Sequence, residues 1–289
     1  MIRNGLRVVP LLFAIVGVSA TAGQQAPVFR SGTALVPIYV TVRHDSGRLV
    51  TGLRRDQFRV LEDGREREIL AFSNESQPIT AVLLLDTSSS MSARLQWTRS
   101  VATHFVDSLQ ARDRLRIGSF GTEISLSPHL TGDVARLKQI VRDEIWPGGG
   151  TPIWHAINAA LDSLRPESGR RVVLVVGDGA PSPKAGQPPA ELKARCEAED
   201  VMVYAVSSES AGMGLGLRAL AADTGGGHFI IPSDENTQQA VADVAEELRR
   251  QYVLGVAPAS TGGRHALTVR VTEPDMKSRA RRAFPTSGR

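Results

Sequence analysis

The feature that most constrains the fold of this sequence is the stretch from Ala81 to Ser92, AVLLLDTSSSMS, in which an apolar run ends in one aspartate followed by hydroxyl side chains. Because no polar residue interrupts Val82 to Leu85, the run is typical of a central strand in a parallel sheet covered on both faces. Asp86 then lies at the carboxyl end of this strand, the edge at which open α/β sheets bind ligands. The sequence therefore predicts a buried strand that delivers polar side chains to a ligand site.

Three oxygen-bearing side chains follow the strand at alternate positions, because Asp86, Ser88 and Ser90 form the pattern D-x-S-x-S. Hard divalent cations prefer such clusters of oxygen ligands. From Ser92 onward apolar residues recur at helical spacing, so the loop opens a helix N-terminus, whose free N–H groups favour anionic ligands. Asp and Ser are also ordinary helix-cap and turn residues, and this stretch alone leaves both interpretations open.

Two later segments add oxygen ligands in a similar context. The segment Trp146 to Pro152, WPGGGTP, places Thr151 directly after three glycines, which allow close backbone approach, and just before a predicted helix. The segment Val172 to Gly179, VVLVVGDG, ends a second buried strand in Asp178. In isolation, a helix cap is the favoured role for Thr151 and a turn the favoured role for Asp178. Together, three loops at one sheet edge would supply five candidate ligands: Asp86, Ser88, Ser90, Thr151 and Asp178.

These three motifs, in this order and in this strand-to-loop context, resemble the metal-ion-dependent adhesion site of the von Willebrand factor type A family. That site consists of D-x-S-x-S on the first loop, a Thr on the second and an Asp on the third, and all five positions match. The resemblance covers roughly residues 78–250. The flanking segments GLRRDQFRVLEDG and RRQYVLGVAP look, more loosely, like a group of bacterial secreted proteins related to that family.

The resemblance implies a bound divalent cation, Mg²⁺ or else Mn²⁺ or Ca²⁺. It implies that Ser88, Ser90 and sometimes Thr151 bind the ion directly, while Asp86 and Asp178 contribute through water. Neutral hydroxyl ligands leave the ion electron-poor, so its remaining position invites a carboxylate from a protein partner. The expected function is thus a non-enzymatic binding module. The alternative is a scaffolding domain of a cell-envelope assembly, in which the cation only stabilises the loops.

The order of strand-like and helical segments predicts the fold class. Between residues 78 and 250 strands alternate with helices, which predicts an α/β domain with a doubly wound, mainly parallel sheet and helices on both faces. Residues 28–77 and 251–285 are rich in short strands instead, and neither group holds enough apolar residues for a core of its own. We therefore expect the two flanking segments to pack together as a β-sandwich around the α/β unit.

Residues 1–22 have the composition of a secretory signal peptide: two arginines, an apolar stretch too short to span a bilayer, and small residues around Ala20 and Ala22. The expected location is secreted or periplasmic, with no stable membrane span after cleavage; an uncleaved N-terminal anchor is the alternative. Cys196 is the single cysteine, so no internal disulfide is expected, and its apolar neighbours predict a small packed side chain.

Other function classes have weaker support. The net charge of +4 is modest and scattered and aromatic residues make up only 5% of the chain, which disfavours nucleic-acid binding. The pattern G-x-G-x-x-A at residues 214–219 does not follow the first strand, as a dinucleotide fingerprint should. A phosphatase with Asp86 as nucleophile is disfavoured because Ser88 stands where such D-x-D-x-T enzymes carry their acid. His155 is expected on a helix surface and Asp113 as a solvated or capping acid.

Overall fold

The computed structural model describes residues 35–178, 187–208, 214–231, 236–257 and 262–286, so the predicted signal peptide lies outside the described residues. The strands are β1 Val36–His44, β2 Phe58–Glu62, β3 Arg65–Arg67, β4 Ile69–Ser73, β5 Thr80–Asp86, β6 Arg114–Phe120, β7 Ile124–Leu126, β8 Arg171–Val176, β9 Val201–Ser207, β10 His228–Ile230, β11 Tyr252–Val256, β12 Gly263–Val271, β13 Met276–Arg279 and β14 Ala283–Thr286. The helices are α1 Leu95–Asp107, α2 Val134–Asp143, α3 Ile153–Leu164, α4 Ala190–Ala198, α5 Leu215–Asp223 and α6 Thr237–Arg249. Short 3₁₀ turns span Arg55–Gln57 and Ser89–Arg94.

The central sheet has six strands in the order β10-β9-β8-β5-β6-β7. All neighbouring strands are parallel except β7, which runs antiparallel to β6 at the edge. The two uninterrupted apolar runs form β5 and β8 in the middle of the sheet, where every residue from Val82 to Leu85 is fully buried. This position explains their sequence, because a strand covered on both faces has no solvent side on which to place polar residues.

Helices cover both faces of this sheet, as predicted. Helices α1, α2 and α6 pack on one face around a core that includes Leu83, Leu85 and Phe105. Helices α3, α4 and α5 pack on the other face, where Val82 and Leu84 meet Ile157. The predicted doubly wound α/β fold is therefore confirmed. Among the described residues, no helix is both long enough and apolar enough to cross a membrane.

The flanking segments form two four-stranded antiparallel sheets, ordered β13-β1-β11-β4 and β14-β12-β2-β3. Each sheet combines strands from both ends of the chain, since β1 pairs with β11 and β2 pairs with β12. The inner faces share one core, in which Phe58 and Tyr252 have ring centroids 4.9 Å apart. The predicted β-sandwich is confirmed, whereas β13 was not predicted, because its residues MKSR are mostly polar.

Strand β1 also joins the sandwich to the α/β unit. Its residues Ile38 and Val40 enter the sandwich core, whereas Tyr39 on the opposite side packs against the core beneath α1 and α6. Beside it, Gln251 donates a hydrogen bond from Nε2 to Thr41 Oγ1 at 3.1 Å. Strand β1 is thus covered on both sides, and the flanking sandwich supplies part of the cover for the α/β core.

Buried charges lie at the same junction. Glu247 of α6 is fully buried and forms an ion pair with Arg43 at 2.6 Å and another with Arg279. Asp113 is also buried, with Oδ2 2.6 Å from Arg249 Nη2. The expectation that Asp113 is a solvated or capping acid is therefore wrong: it precedes strand β6, and its side chain accepts the backbone N–H of Gln110, three residues earlier.

Candidate metal centre

The five candidate ligands lie around a topological switch point of the central sheet. Strands β5 and β8 are parallel neighbours, but β5 leads into α1 on one face and β8 leads into α4 on the other. Divergent connections of this kind open a crevice at the carboxyl ends of the two strands, where α/β proteins bind ligands. Asp86 is the last residue of β5, and Asp178 follows β8 by two positions. The fold thus brings the first and third predicted loops to one crevice.

Asp86 forms the floor of this crevice and is fully buried. Its Oδ1 accepts a hydrogen bond from the backbone N–H of Ser88 at 2.9 Å, while its Oδ2 is buried without a hydrogen-bond partner among the described residues. Burial raises the pKa of Asp86 to about 6; hydrogen bonds from Ser88 oppose the rise and the negative charge of Asp178 adds to it. A positive charge in the crevice would favour the ionised carboxylate, so this group fits a cation site.

Two hydroxyl groups stand above Asp86. The Oγ atoms of Ser88 and Ser90 are 3.1 Å apart, with Ser88 buried and Ser90 exposed at the mouth of the crevice. Adjacent ligands of an octahedral Mg²⁺ ion, each bound at about 2.0–2.1 Å, are separated by roughly 2.9 Å. The spacing of the two hydroxyl oxygens is therefore close to the spacing that one small divalent cation requires.

The glycine-rich segment is hydrogen-bonded to the D-x-S-x-S loop. Gly148 donates its N–H to Thr87 O at 2.8 Å, and Gly149 O accepts the backbone N–H of Ser89 at 3.0 Å. Gly149 has φ +83°, and a Cβ at this position would lie 2.2 Å from the backbone N of Thr122. Only glycine fits this approach without strain. The segment then leads to Thr151, which is half-buried two residues before α3.

The structure therefore brings the five predicted ligands toward Asp86 to different extents. Asp86, Ser88 and Ser90 are linked by short contacts, and Asp178 is near enough for its charge to act on Asp86. Thr151 lies on a segment bonded to the first loop. His155 is exposed on α3, as expected for a helix surface.

The donor set consists mainly of hydroxyl groups. In the part of the chain that the structure describes, no group of three or more His, Cys, Asp or Glu side chains could hold a metal ion. A site at this sheet edge would accordingly depend on Ser88, Ser90 and Thr151 together with the carboxylates. Hydroxyl and carboxylate oxygens suit Mg²⁺, Mn²⁺ or Ca²⁺ better than softer metals.

Two other sequence features also have a structural outcome. Gly214 precedes α5, which follows β9 rather than the first strand of the α/β unit, β5, so its position does not match a dinucleotide fingerprint. Cys196 is buried on α4, and burial raises the pKa of its thiol to about 12. The prediction of a small packed side chain at Cys196 is confirmed.

Comparison with known proteins gives one family and several similar folds. The model of the von Willebrand factor type A domain matches residues 81–246. BatB from Bacteroides thetaiotaomicron is 20% identical, with 59% of this chain and 98% of that chain covered at a TM-score of 0.48. A von Willebrand factor type A protein from Catenulispora acidiphila is 11% identical, with 89% and 74% covered at 0.49. The vWF domain of the type V pili tip protein Mfa5 from Porphyromonas gingivalis is 24% identical, with 37% and 39% covered at 0.34. No curated protein matches the chain.

Proposed function

This chain belongs to the von Willebrand factor type A domain family, and we propose from that premise that it is a non-enzymatic module that captures a protein partner through a divalent cation. The proposed ligands are Asp86, Ser88, Ser90, Thr151 and Asp178. The observation that carries the proposal is the buried Asp86 carboxylate, whose Oδ2 has no hydrogen-bond partner among the described residues, beneath two hydroxyls 3.1 Å apart. Buried polar atoms are nearly always satisfied, so this arrangement favours a ligand in the crevice.

The roles of the residues follow from their burial and charge. Ser88 and Ser90 would hold the ion with neutral oxygens, and the buried carboxylate of Asp86 would orient the ligands from below. A bound cation supplies a position at which an incoming carboxylate oxygen can bind. Because the hydroxyl ligands do not neutralise the ion, its attraction for a partner's acidic side chain remains strong. We propose Mg²⁺, with Mn²⁺ or Ca²⁺ as substitutes, and a secreted or periplasmic location.

The proposal is tested by titration calorimetry of the full chain with MgCl₂ and MnCl₂. We expect one site in the wild type and none in the Asp86→Ala variant. Asp56→Ala is the matched control, because Asp56 is an exposed carboxylate in the 3₁₀ turn that precedes β2, outside the α/β unit that carries the site loops. Equal metal binding by wild type and Asp86→Ala would refute the assignment of the ligands.

A second function is favoured by the hydrogen bonds between the first two loops. Because Gly148 and Gly149 already tie the glycine segment to the D-x-S-x-S loop, a cation could act only as a further link between loops in a scaffolding domain. Thr151→Ala separates the two functions at saturating Mg²⁺. Loss of partner binding with little change in melting temperature supports capture, because a charge-assisted contact contributes about 1.5–3 kcal/mol. A lower melting temperature with unchanged partner binding supports scaffolding.

A further inference from the structure

Exposed apolar side chains are concentrated at the edge of the sheet that carries the candidate metal centre. Among the described residues, four large hydrophobic side chains are exposed, and only Leu70 lies in the sandwich. Of the other three, Ile230 ends β10 and Leu215 begins α5 after β9, both at the carboxyl edge of the central sheet. Trp146 lies in the loop that is bonded to that edge. Leu215 and Ile230 lie on the β9–β10 side of the sheet, whereas Trp146 lies on the side of β5, next to the candidate metal centre.

Trp146 is the member of this group whose position relative to the site is fixed by contacts. On one side, Arg99 donates a hydrogen bond to the carbonyl of the preceding residue, Ile145, at 2.5 Å. On the other side, Gly148 binds the carbonyl of Thr87 within the D-x-S-x-S loop. Trp146 is nevertheless 69% exposed. A large aromatic side chain is therefore held beside the site on an anchored backbone, without being buried by the fold.

The separation between Trp146 and Gly148, the residue bonded to the D-x-S-x-S loop, can be bounded. Consecutive Cα atoms are about 3.8 Å apart, so Trp146 Cα lies within roughly 7.6 Å of Gly148 Cα. An extended peptide advances about 3.3 Å per residue. An extended partner segment spans about 13 Å over four positions, so a side chain within about four positions of an acidic residue at the cation could contact Trp146.

We propose that Trp146 is a specificity-determining contact for the protein partner. The partner is a protein segment in which an acidic residue binds the cation and an aromatic or aliphatic residue lies within about four positions of it. This inference rests on the proposed function. Charge complementarity selects the acidic residue, and burial of the indole selects its apolar neighbour. Exposed tryptophans that become buried in a complex are frequent hot spots of binding energy, so the contact adds affinity as well as selectivity.

The experiment is a selection of phage-displayed random dodecapeptides on the immobilised full chain, in MgCl₂ and in EDTA. We expect the Mg²⁺-dependent peptides to contain Asp or Glu with an aromatic or aliphatic residue nearby. Selection on Trp146→Ala should keep the acidic residue and lose the apolar one, whereas Trp146→Phe should keep both. Leu70→Ala is the matched control, because it removes an exposed apolar side chain from the sandwich.

The outcomes separate this inference from the proposed function. If no acidic residue is enriched, or if its enrichment survives EDTA, the proposed function fails. If the acidic enrichment requires Mg²⁺ but the apolar residue is absent, or is unchanged in Trp146→Ala, only the role of Trp146 is overturned. Self-association of the wild type that requires both Mg²⁺ and Trp146 would also overturn the proposed partner, because a second copy of the chain would then occupy the surface.

Tryptophan fluorescence gives a second readout on the same full chain. Of its three tryptophans, Trp97 and Trp154 are only 6% and 5% exposed, so quenching by acrylamide reports mainly on Trp146. A selected peptide should reduce this quenching in Mg²⁺, and Trp146→Ala should bind the peptide roughly tenfold or more weakly. Binding that leaves the quenching of Trp146 unchanged would overturn the proposed contact.

Discussion

Replacing Gly149 by alanine tests whether the glycine segment sets the geometry of the metal centre. Gly149 has φ +83°, and the added Cβ would lie 2.2 Å from Thr122 N and 2.4 Å from Thr122 Cα. The left-handed conformation costs an L-residue about 1–2 kcal/mol, and relief of the overlap requires a displacement of roughly 1 Å. Because Gly149 O accepts the N–H of Ser89, that displacement would reach the residue between the two candidate serine ligands.

Residues that support metal ligands typically change metal affinity by about 10–100-fold when they are replaced. We therefore expect Gly149→Ala to weaken Mg²⁺ binding by at least about tenfold in titration calorimetry, with the chain still folded. Gly150→Ala is the matched control, since a Cβ there meets no heavy atom within 4 Å and the backbone lies outside the left-handed region. Wild-type affinity in Gly149→Ala would refute the positional argument. An equal loss in both variants would assign the effect to loop flexibility instead.

Three further predictions concern the rest of the molecule. Asp113→Ala should lower the free energy of unfolding by about 3–5 kcal/mol in urea denaturation, because it leaves the Arg249 guanidinium buried without its carboxylate. The control is Asp107→Ala at an exposed ion pair, which should lower the free energy of unfolding by less than about 1 kcal/mol. A fragment of residues 28–77 should show no cooperative melt by circular dichroism, because β1 and β4 pair with β11 and β2 pairs with β12. Cys196 should react with Ellman's reagent only after unfolding, since it is buried and its thiol pKa is about 12; fast reaction of the native chain would contradict this.

The sequence alone was sufficient to predict those structural features that depend on residues adjacent in the chain. The apolar run before Asp86 predicted a central strand because burial on both faces requires such a run, and the strand end then fixed the position of Asp86. The partnership of Asp113 with Arg249 was not predictable in this way, since it joins residues 136 positions apart. Strand β13 was missed for a related reason: its polar residues are stabilised by pairing with β1, which no local pattern reveals.

Two ion pairs and the candidate metal centre lie at opposite edges of the central sheet. Asp113 directly precedes β6 and pairs with Arg249 at the end of α6, and Asp200 directly precedes β9 and pairs with Arg281 of the C-terminal segment. Both carboxylates are therefore at the amino ends of parallel strands, and the Asp200–Arg281 pair joins the C-terminal segment to the α/β unit. Asp86, in contrast, ends β5 at the carboxyl edge. Because distant sites contribute independently to stability, the fixed junction at one edge leaves the other edge free to bind a ligand without weakening the attachment of the sandwich.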